Sequence, residues 1–275
     1  MVLETEFIFL EDLREQPTTR DKLVSALMAK VVPVGLLLKA IGRGWVAPDE
    51  PLMVVFTSGT TGEPKGAVLT YDNIVAGIES VANVMRFTPD DVIVGVLPFF
   101  HAFGSVLTLW AALTLDVAAA YHPNPLDAQG VGELCRKRRG TILLATPTFL
   151  RAYQRRGNPE HFSMLQAIVT GGERLPLDLA NAVERDFGIR PVEGYGATEA
   201  SSLIAANVPS NRTQAGTGSM CREGTVGRAL PGIRVKIVDP ETGDEQGRRV
   251  QGGLVRRQNS GKRAIQHVCA PLLPV

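Results

Sequence analysis

TSGTTGEPKG, residues 57–66, places three glycines and four hydroxyl side chains within ten positions and closes on proline, lysine and glycine. Gly59, Gly62 and Gly66 free backbone amides to form an anion-binding concavity. Thr57, Ser58, Thr60 and Thr61 add hydroxyl donors, and Lys65 adds a positive charge. Two phosphate loops are excluded by spacing. A Walker A loop needs glycine directly before its lysine and Ser or Thr after it, whereas Pro64 precedes Lys65 and Gly66 follows. A dinucleotide fingerprint needs G-x-G-x-x-G opening a helix after a strand, and no such run occurs. On composition alone, a flexible Gly/Thr-rich surface loop competes evenly with a phosphate grip.

Working outward, MVVFT (53–57) reads as a buried strand running into this loop, and AVLT (67–70) as a second short strand. Asp72 is placed to cap a helix whose Ile74, Val75, Ile78, Val81, Ala82 and Met85 share a 3.6-period face. Further strands are expected within 91–99, 117–121, 141–145, 167–171 and 233–239, with helices near 105–115, 127–138, 147–156 and 176–187. In the last helix Leu179, Val183 and Phe187 share a face, and Gly188 is placed to end it. Alternating strands and helices predict an α/β fold with mostly parallel sheets flanked by helices in layers. Ligands in such folds gather at the carboxyl ends of the strands. The glycine-rich loop, HAFG (101–104), GGE (171–173) and GYGATE (194–199) all fall there.

The bulk numbers exclude several classes. The chain has 275 residues, 44% hydrophobic and 21% charged, which suits one large globular domain or two smaller ones. A net charge of +1 advertises neither nucleic acid nor an anionic membrane surface. Cys135, Cys221 and Cys269 make no metal pattern and no disulfide framework, which points to a reducing compartment. Residues 23–42 carry Lys30, Lys39 and Pro33, and residues 105–120 contain Asp116, so neither is a run of about 18 to 20 apolar residues able to span a bilayer. The acidic start MVLETEFIFLEDLRE lacks the basic opening of a signal peptide. A cytoplasmic protein without a transmembrane segment is expected.

FTSGTTGEPKGAVLTYDN (56–73) resembles the signature loop of the adenylate-forming (AMP-binding) superfamily of acyl-CoA synthetases, luciferases and peptide-synthetase adenylation domains. Its companions follow in order: LPFFHAFG (97–104), GGERLP (171–176), EGYGATEAS (193–201) and GTVGRALPG (224–232). The resemblance runs from about residue 50 to 245 and implies an AMP-binding core there, with 1–49 a partial N-terminal region and 246–275 a divergent tail. FIFLEDLRE and LVSALMAKVVPVGLLLKAIG more faintly resemble bacterial acyl-acyl-carrier-protein synthetases, which points to a fatty acid as the small-molecule carboxylate.

The resemblance implies an ATP- and Mg²⁺-dependent ligase that joins a carboxylate to AMP. The acyl group then passes to the thiol of CoA or of phosphopantetheine on an acyl carrier protein. It also implies the roles. Thr57, Ser58, Gly59, Thr60, Thr61, Gly62 and Lys65 would wrap the β- and γ-phosphates. Thr198 would bond the α-phosphate and Glu199 would hold Mg²⁺. Tyr195 would lie against adenine, with Gly172, Glu173, Gly194 and Gly196 lining its pocket. His101 would sit near the acyl carboxylate, with Phe100 and Phe103 shaping the entrance. Each has a plain alternative: a packed histidine, a core tyrosine, a solvated carboxylate at a helix start. Arg228 reads as structural, and Arg248, Arg249, Arg256 and Arg257 as a solvated run.

Family members run to roughly twice this length, and the family's ribose-binding Tyr-x-x-Thr-Gly-Asp segment and lysine-bearing C-terminal lid domain are not found in these residues. GGLVRRQ (252–258) echoes the strand that should precede that segment, and the pattern is lost from about Gln258. The expectation is an out-of-frame tail, and with it a second reading: an inactive, nucleotide-binding fragment of such an enzyme.

Overall fold

The computed structural model describes residues 16–40, 42, 46–58, 64–236, 253–257 and 267–270. The chain divides into two compact units, Met1–Pro48 and Asp49–Val275. In the first, Pro33 separates two helices, α1 (Thr19–Val31) and α2 (Val34–Ala40). Thr18 caps α1: its hydroxyl accepts from the Asp21 amide at 3.2 Å, while the Asp21 carboxylate accepts from the Thr18 amide at 2.9 Å. Neither helix contains a buried residue, so the apolar run of 23–42 forms surface helices. No helix among the described residues is long and apolar enough to cross a membrane.

The second unit opens with β1 (Pro51–Ser58) and β2 (Pro64–Thr70), an antiparallel hairpin. Here one expectation fails. β1 is not a buried strand: Val55 is 3% exposed, but its neighbours Val54 and Phe56 are 52% and 73% exposed. The strand pairs with one partner and covers one face, so its apolar run alternates between core and solvent. Helix α3 (Tyr71–Ala82) follows, capped by Thr70 and not by Asp72. The Thr70 hydroxyl accepts from the Asn73 amide, and the Asn73 side-chain oxygen accepts from the Thr70 amide, each at 3.2 Å. Asp72 falls in the first turn, and Val75 lies off the buried face of Ile74 and Ile78.

The remaining elements build a seven-stranded sheet. Strand β3 (Val92–Gly95) leads to helix α4, residues 102–115, which contains a π-helical segment, Ser105–Trp110. Next come β4 (Ala118–Tyr121), α5 (Ala128–Arg138), β5 (Ile142–Ala145), α6 (Pro147–Arg156), β6 (Ala167–Thr170) and α7 (Leu177–Phe187). Gly188 ends α7 in the left-handed region, φ 73°, as its position predicts. Then follow β7 (Val192–Ala197), β8 (Ser202–Ala206) and β9 (Arg228–Ala229). The order is β4-β3-β5-β6-β7-β8-β9, parallel through β7 and antiparallel beyond it.

Side chains of the central strands alternate between two cores. Ile93, Ile142, Leu144, Ala167 and Val169 pack with α3, α4 and the inner face of the hairpin. Val94, Leu143, Ala145 and Ile168 pack with α5, α6 and α7. The sheet is thus the middle of three layers, as the α/β reading requires. In the second core the Phe162 ring stacks on Phe187 at 4.5 Å between centroids, and burial pushes the Cys135 thiol up to about 12.

A small antiparallel sheet is formed by β10 (Ile233–Lys236), β11 (Gly253–Arg257) and β12 (His267–Ala270). The strand echo noted in the sequence is therefore paired, Ile233 opposite Arg257 and Lys236 opposite Leu254. Residues 258–266 of the expected divergent tail, and Arg248 and Arg249, lie outside the described residues.

Candidate active site

The carboxyl ends of β3, β6 and β7 converge. From β3 the chain runs to His101, which caps the start of α4: its Nδ1 accepts from the Phe103 amide at 3.2 Å. That bond leaves Nε2 as the outward nitrogen. The imidazole is exposed, so it is not a packed core histidine. Phe100 is 82% exposed and Phe103 is buried. The Phe103 ring lies against Gly171, where a Cβ would come within 3.0 Å of it and 3.4 Å of the Gly194 carbonyl. Glycine at 171 therefore lets the HAFG, GGE and GYG segments meet.

Gly172 adopts φ +81°, a conformation that L side chains rarely take, and turns the chain at the end of β6. Glu173 follows, exposed, its carboxylate accepting from the Thr148 hydroxyl at 2.6 Å. β7 carries Gly194, Tyr195 and Gly196, with a register shift between Tyr195 and Gly196. A Cβ on Gly196 would overlap the Ser202 carbonyl, so only glycine fits this bulge. Tyr195 is half-buried against the first core. Burial raises its phenol above the ordinary value, and the nearby Glu199 carboxylate adds to the rise.

Thr198 and Glu199 sit in a single 3₁₀ turn directly after β7, both partly exposed. Neither side chain has a hydrogen-bond or ion-pair partner among the described residues. Strand β2 runs alongside this turn, which brings the hairpin to Thr198 and Glu199. Lys65, the second residue of β2, is exposed and free of ion pairs among the described residues, and the Thr57 hydroxyl donates to its carbonyl at 3.5 Å. Gly59, Thr60, Thr61 and Gly62 lie outside the described residues, as does the side chain of Ser58.

No group of three or more His, Cys, Asp or Glu side chains among the described residues forms a self-contained metal cage. Glu199 is a carboxylate with no hydrogen-bond or ion-pair partner among the described residues, and it lies beside the β1–β2 hairpin. That donor set fits Mg²⁺, which takes one or two carboxylates and fills its remaining positions with phosphate oxygens and water.

Two polar arrangements brace the site, and neither was anticipated from the sequence. Glu193, in β7, accepts from the Leu175 amide at 3.2 Å and so ties the loop after β6 to the neighbouring strand. Burial raises its carboxyl above the usual range, opposed by the Leu175 bond and the charge of Arg174. Buried Asn207 donates to the Glu193 carbonyl at 3.2 Å and to the Thr225 carbonyl, and accepts from the Arg222 amide at 2.7 Å. It thereby fastens GTVGR to β7. Gly227 in that segment has φ +84°, and a Cβ there would overlap the Ala206 carbonyl. Arg228, which follows in β9, is exposed. The apolar flanks of the Glu193 position were the only signal that a carboxylate there would be buried.

A family model described as AMP-binding enzyme matches residues 9–261. The putative acyl-CoA synthetase YngI of Bacillus subtilis is 34% identical over 212 residues, covering 76% of this chain and 37% of that protein. Among solved structures, ATP-bound MatB from Rhodopseudomonas palustris superposes with a TM-score of 0.65 at 27% identity, over 88% of this chain and 49% of that one. The o-succinylbenzoate coenzyme A synthetase MenE from Bacillus subtilis, in complex with ATP and magnesium ion, gives a TM-score of 0.64 at 26% identity, over 77% and 42%. The chain thus spans well under half the length of the curated relatives it matches.

Proposed function

The chain belongs to the AMP-binding enzyme family, and we propose that it supplies the nucleotide and carboxylate sites of an acid–thiol ligase that activates a fatty acid with ATP. The observation that carries this reading is the run of β2 beside the Thr198–Glu199 turn, with Tyr195 just before it. A phosphate-gripping hairpin, a hydroxyl, a free carboxylate and a half-buried ring then face one ligand in the order phosphates, metal, base.

In this reading Lys65 and the 57–62 loop draw the β- and γ-phosphates into line as the leaving group. Thr198 bonds the α-phosphate, where charge develops as a carboxylate oxygen attacks phosphorus and pyrophosphate departs. Magnesium, held through Glu199, neutralises phosphate charge when bound. Tyr195 lies against the adenine between Gly172, Glu173, Gly194 and Gly196. His101 directs Nε2 toward the acyl carboxylate beside Phe100 and Phe103. In the second half-reaction a thiol, of CoA or of a carrier protein's phosphopantetheine, attacks the acyl carbon and releases AMP.

ATP–pyrophosphate exchange with a panel of fatty, aryl and dicarboxylic acids tests the proposal. Fatty acids are expected to give the signal. Exchange with aryl acids alone would overturn the substrate class. A second reading is that this stretch, which spans well under half of its relatives' length, binds nucleotide without turnover. A nucleotide-dependent rise in melting temperature with no exchange under any acid would support it.

A further inference from the structure

Gly95 ends β3 and lies opposite Tyr121, the last residue of β4, in the parallel register. A glycine inside a sheet forgoes side-chain packing and often marks a close approach. Here the approach is a ring: a Cβ on Gly95 would fall 2.6 Å from the Tyr121 ring and 3.2 Å from Thr108 of α4. The Tyr121 hydroxyl donates to the Thr108 carbonyl at 3.1 Å, within the π-helical segment Ser105–Trp110. Burial raises the phenol above its ordinary value, so the hydroxyl stays protonated and remains a donor. π-Helical turns inside α-helices are frequent at functional sites.

The same ring meets Phe99 edge to face, 5.1 Å between centroids and 82° between planes. Phe99 is a corner of the turn that delivers His101: the His101 amide donates to the Pro98 carbonyl at 3.1 Å, with Phe99 and Phe100 between them. Both corner rings are exposed, so core packing does not hold them. Gly104 lets the first turn of α4 press against this turn, since a Cβ there would overlap the Pro98 carbonyl. Tyr121 supplies a second tie, from Phe99 to the π-helical segment of the same helix.

We propose that Tyr121 is a positioning residue for His101. By clamping Phe99 to the π-helical segment it fixes the Pro98–His101 turn, and with it the direction of the outward Nε2. The chemical meaning of that direction rests on the acid–thiol ligase reading, in which Nε2 faces the acyl carboxylate; the clamp itself does not.

The test joins a spectroscopic readout to a kinetic one in the full chain. Tyr121→Leu keeps bulk over Gly95 and loses both directional contacts, Tyr121→Phe loses the hydroxyl alone, and Phe99→Ala cuts the tie from its exposed end. The chain has four histidines, so ring-nitrogen correlation spectra stay simple, and His101→Gln identifies the His101 signals. In Tyr121→Leu those signals are expected to move, while those of His161, packed against Gly132 in the other helical layer, stay in place. In pyrophosphate exchange Tyr121→Leu should lower kcat/KM for the acid about tenfold and leave KM for ATP within about twofold, because misplacement at a reacting centre is costly. Tyr121→Phe should recover most of that loss. Since Tyr121 acts through Phe99, Tyr121→Leu should cost little more in the Phe99→Ala background. Unmoved His101 signals in Tyr121→Leu would overturn the proposal, as would equal movement of His161, equal losses for ATP and acid, or fully additive effects of the two substitutions. No exchange from the wild type with any acid would sink the ligase reading and leave the spectra to decide the clamp, whereas exchange with unmoved His101 signals would sink the clamp alone.

Discussion

The parallel strands and the β1–β2 hairpin are built to opposite specifications. Strands β3, β5 and β6 are covered on both faces by helices and carry almost no exposed side chain. Their edge is fastened by a buried pair: Arg212 donates to both Asp91 oxygens at 2.6 and 2.7 Å, with side chains 3% and 1% exposed. Asp91 also accepts from the Thr141 hydroxyl and the Thr88 amide, each at 2.7 Å, and Arg212 donates to Gln166 at 2.8 Å. The β1–β2 hairpin has one covered face, and among the described residues no buried ion pair fastens it. The sheet fixes where the strand ends converge, whereas the hairpin, in the function proposed above, presents its loop to the ligand's phosphates.

The largest expected effect breaks the scaffold. Asp91→Asn leaves Arg212 buried without its counter-charge and is expected to cost about 3–5 kcal/mol of unfolding free energy in denaturant titration. The pH dependence follows. Desolvation pushes the Asp91 carboxyl up, but Arg212, Thr141 and the Thr88 amide outweigh it and hold it below the ordinary carboxylate range. Its contribution is full above the unfolded-state value and is lost as pH falls through the lower folded value. Wild type should therefore lose stability on acidification more steeply than Asp91→Asn. Equal slopes would show that the pair does not titrate as a fastening.

Next in size is the grip. Thr198→Ala and Glu199→Gln should each lower pyrophosphate exchange by about 10²–10³-fold if they act where charge develops. The magnesium-dependent part of the ATP melting shift should vanish in Glu199→Gln, and unliganded stability should stay within about 0.5 kcal/mol of wild type. An unchanged magnesium increment would remove Glu199 from the metal site. Third is Gly227→Ala, expected to cost about 1–3 kcal/mol because φ +84° and the Ala206 carbonyl both exclude a side chain. That loss should appear in stability and leave exchange per folded molecule unaltered.

Legibility in the sequence follows the same division. The strands ILLA and AIVT are short apolar runs between turn residues, and α7 has a clean apolar face ending at a glycine, so local pattern suffices for them. β7 was hidden because EGYGATEAS carries five small or glycine positions, Gly194, Gly196, Ala197, Ala200 and Ser201, that read as loop, and its strand character comes from pairing with β8 across the bulge at Tyr195. The Asp91–Arg212 pair joins residues 121 apart, a distance that no local pattern bridges. Thr70 took the cap in place of Asp72 because the chain leaves β2 in extended geometry at Thr70, ψ 166°, where a cap residue must sit. Of the candidate site, residue types and order were legible from the ordered motifs. The braces at Glu193 and Asn207 were not, since each works through backbone groups of a distant segment.

The smallest effect sharpens the comparison within the hairpin itself. Val55 and Phe56 are adjacent, yet the first faces the core and the second faces solvent at 73% exposure. Val55→Ala removes two buried methyl equivalents, about 1.6 kcal/mol at ~0.8 kcal/mol each. Phe56→Ser, although it deletes far more apolar surface, should change stability by no more than about 0.5 kcal/mol, because little of that surface leaves water on folding. Denaturant titration of the two variants reads the difference directly. A Phe56→Ser loss as large as that of Val55→Ala would mean that the outward face of the hairpin is covered in solution, and that the grip is fastened on both sides like the strands behind it.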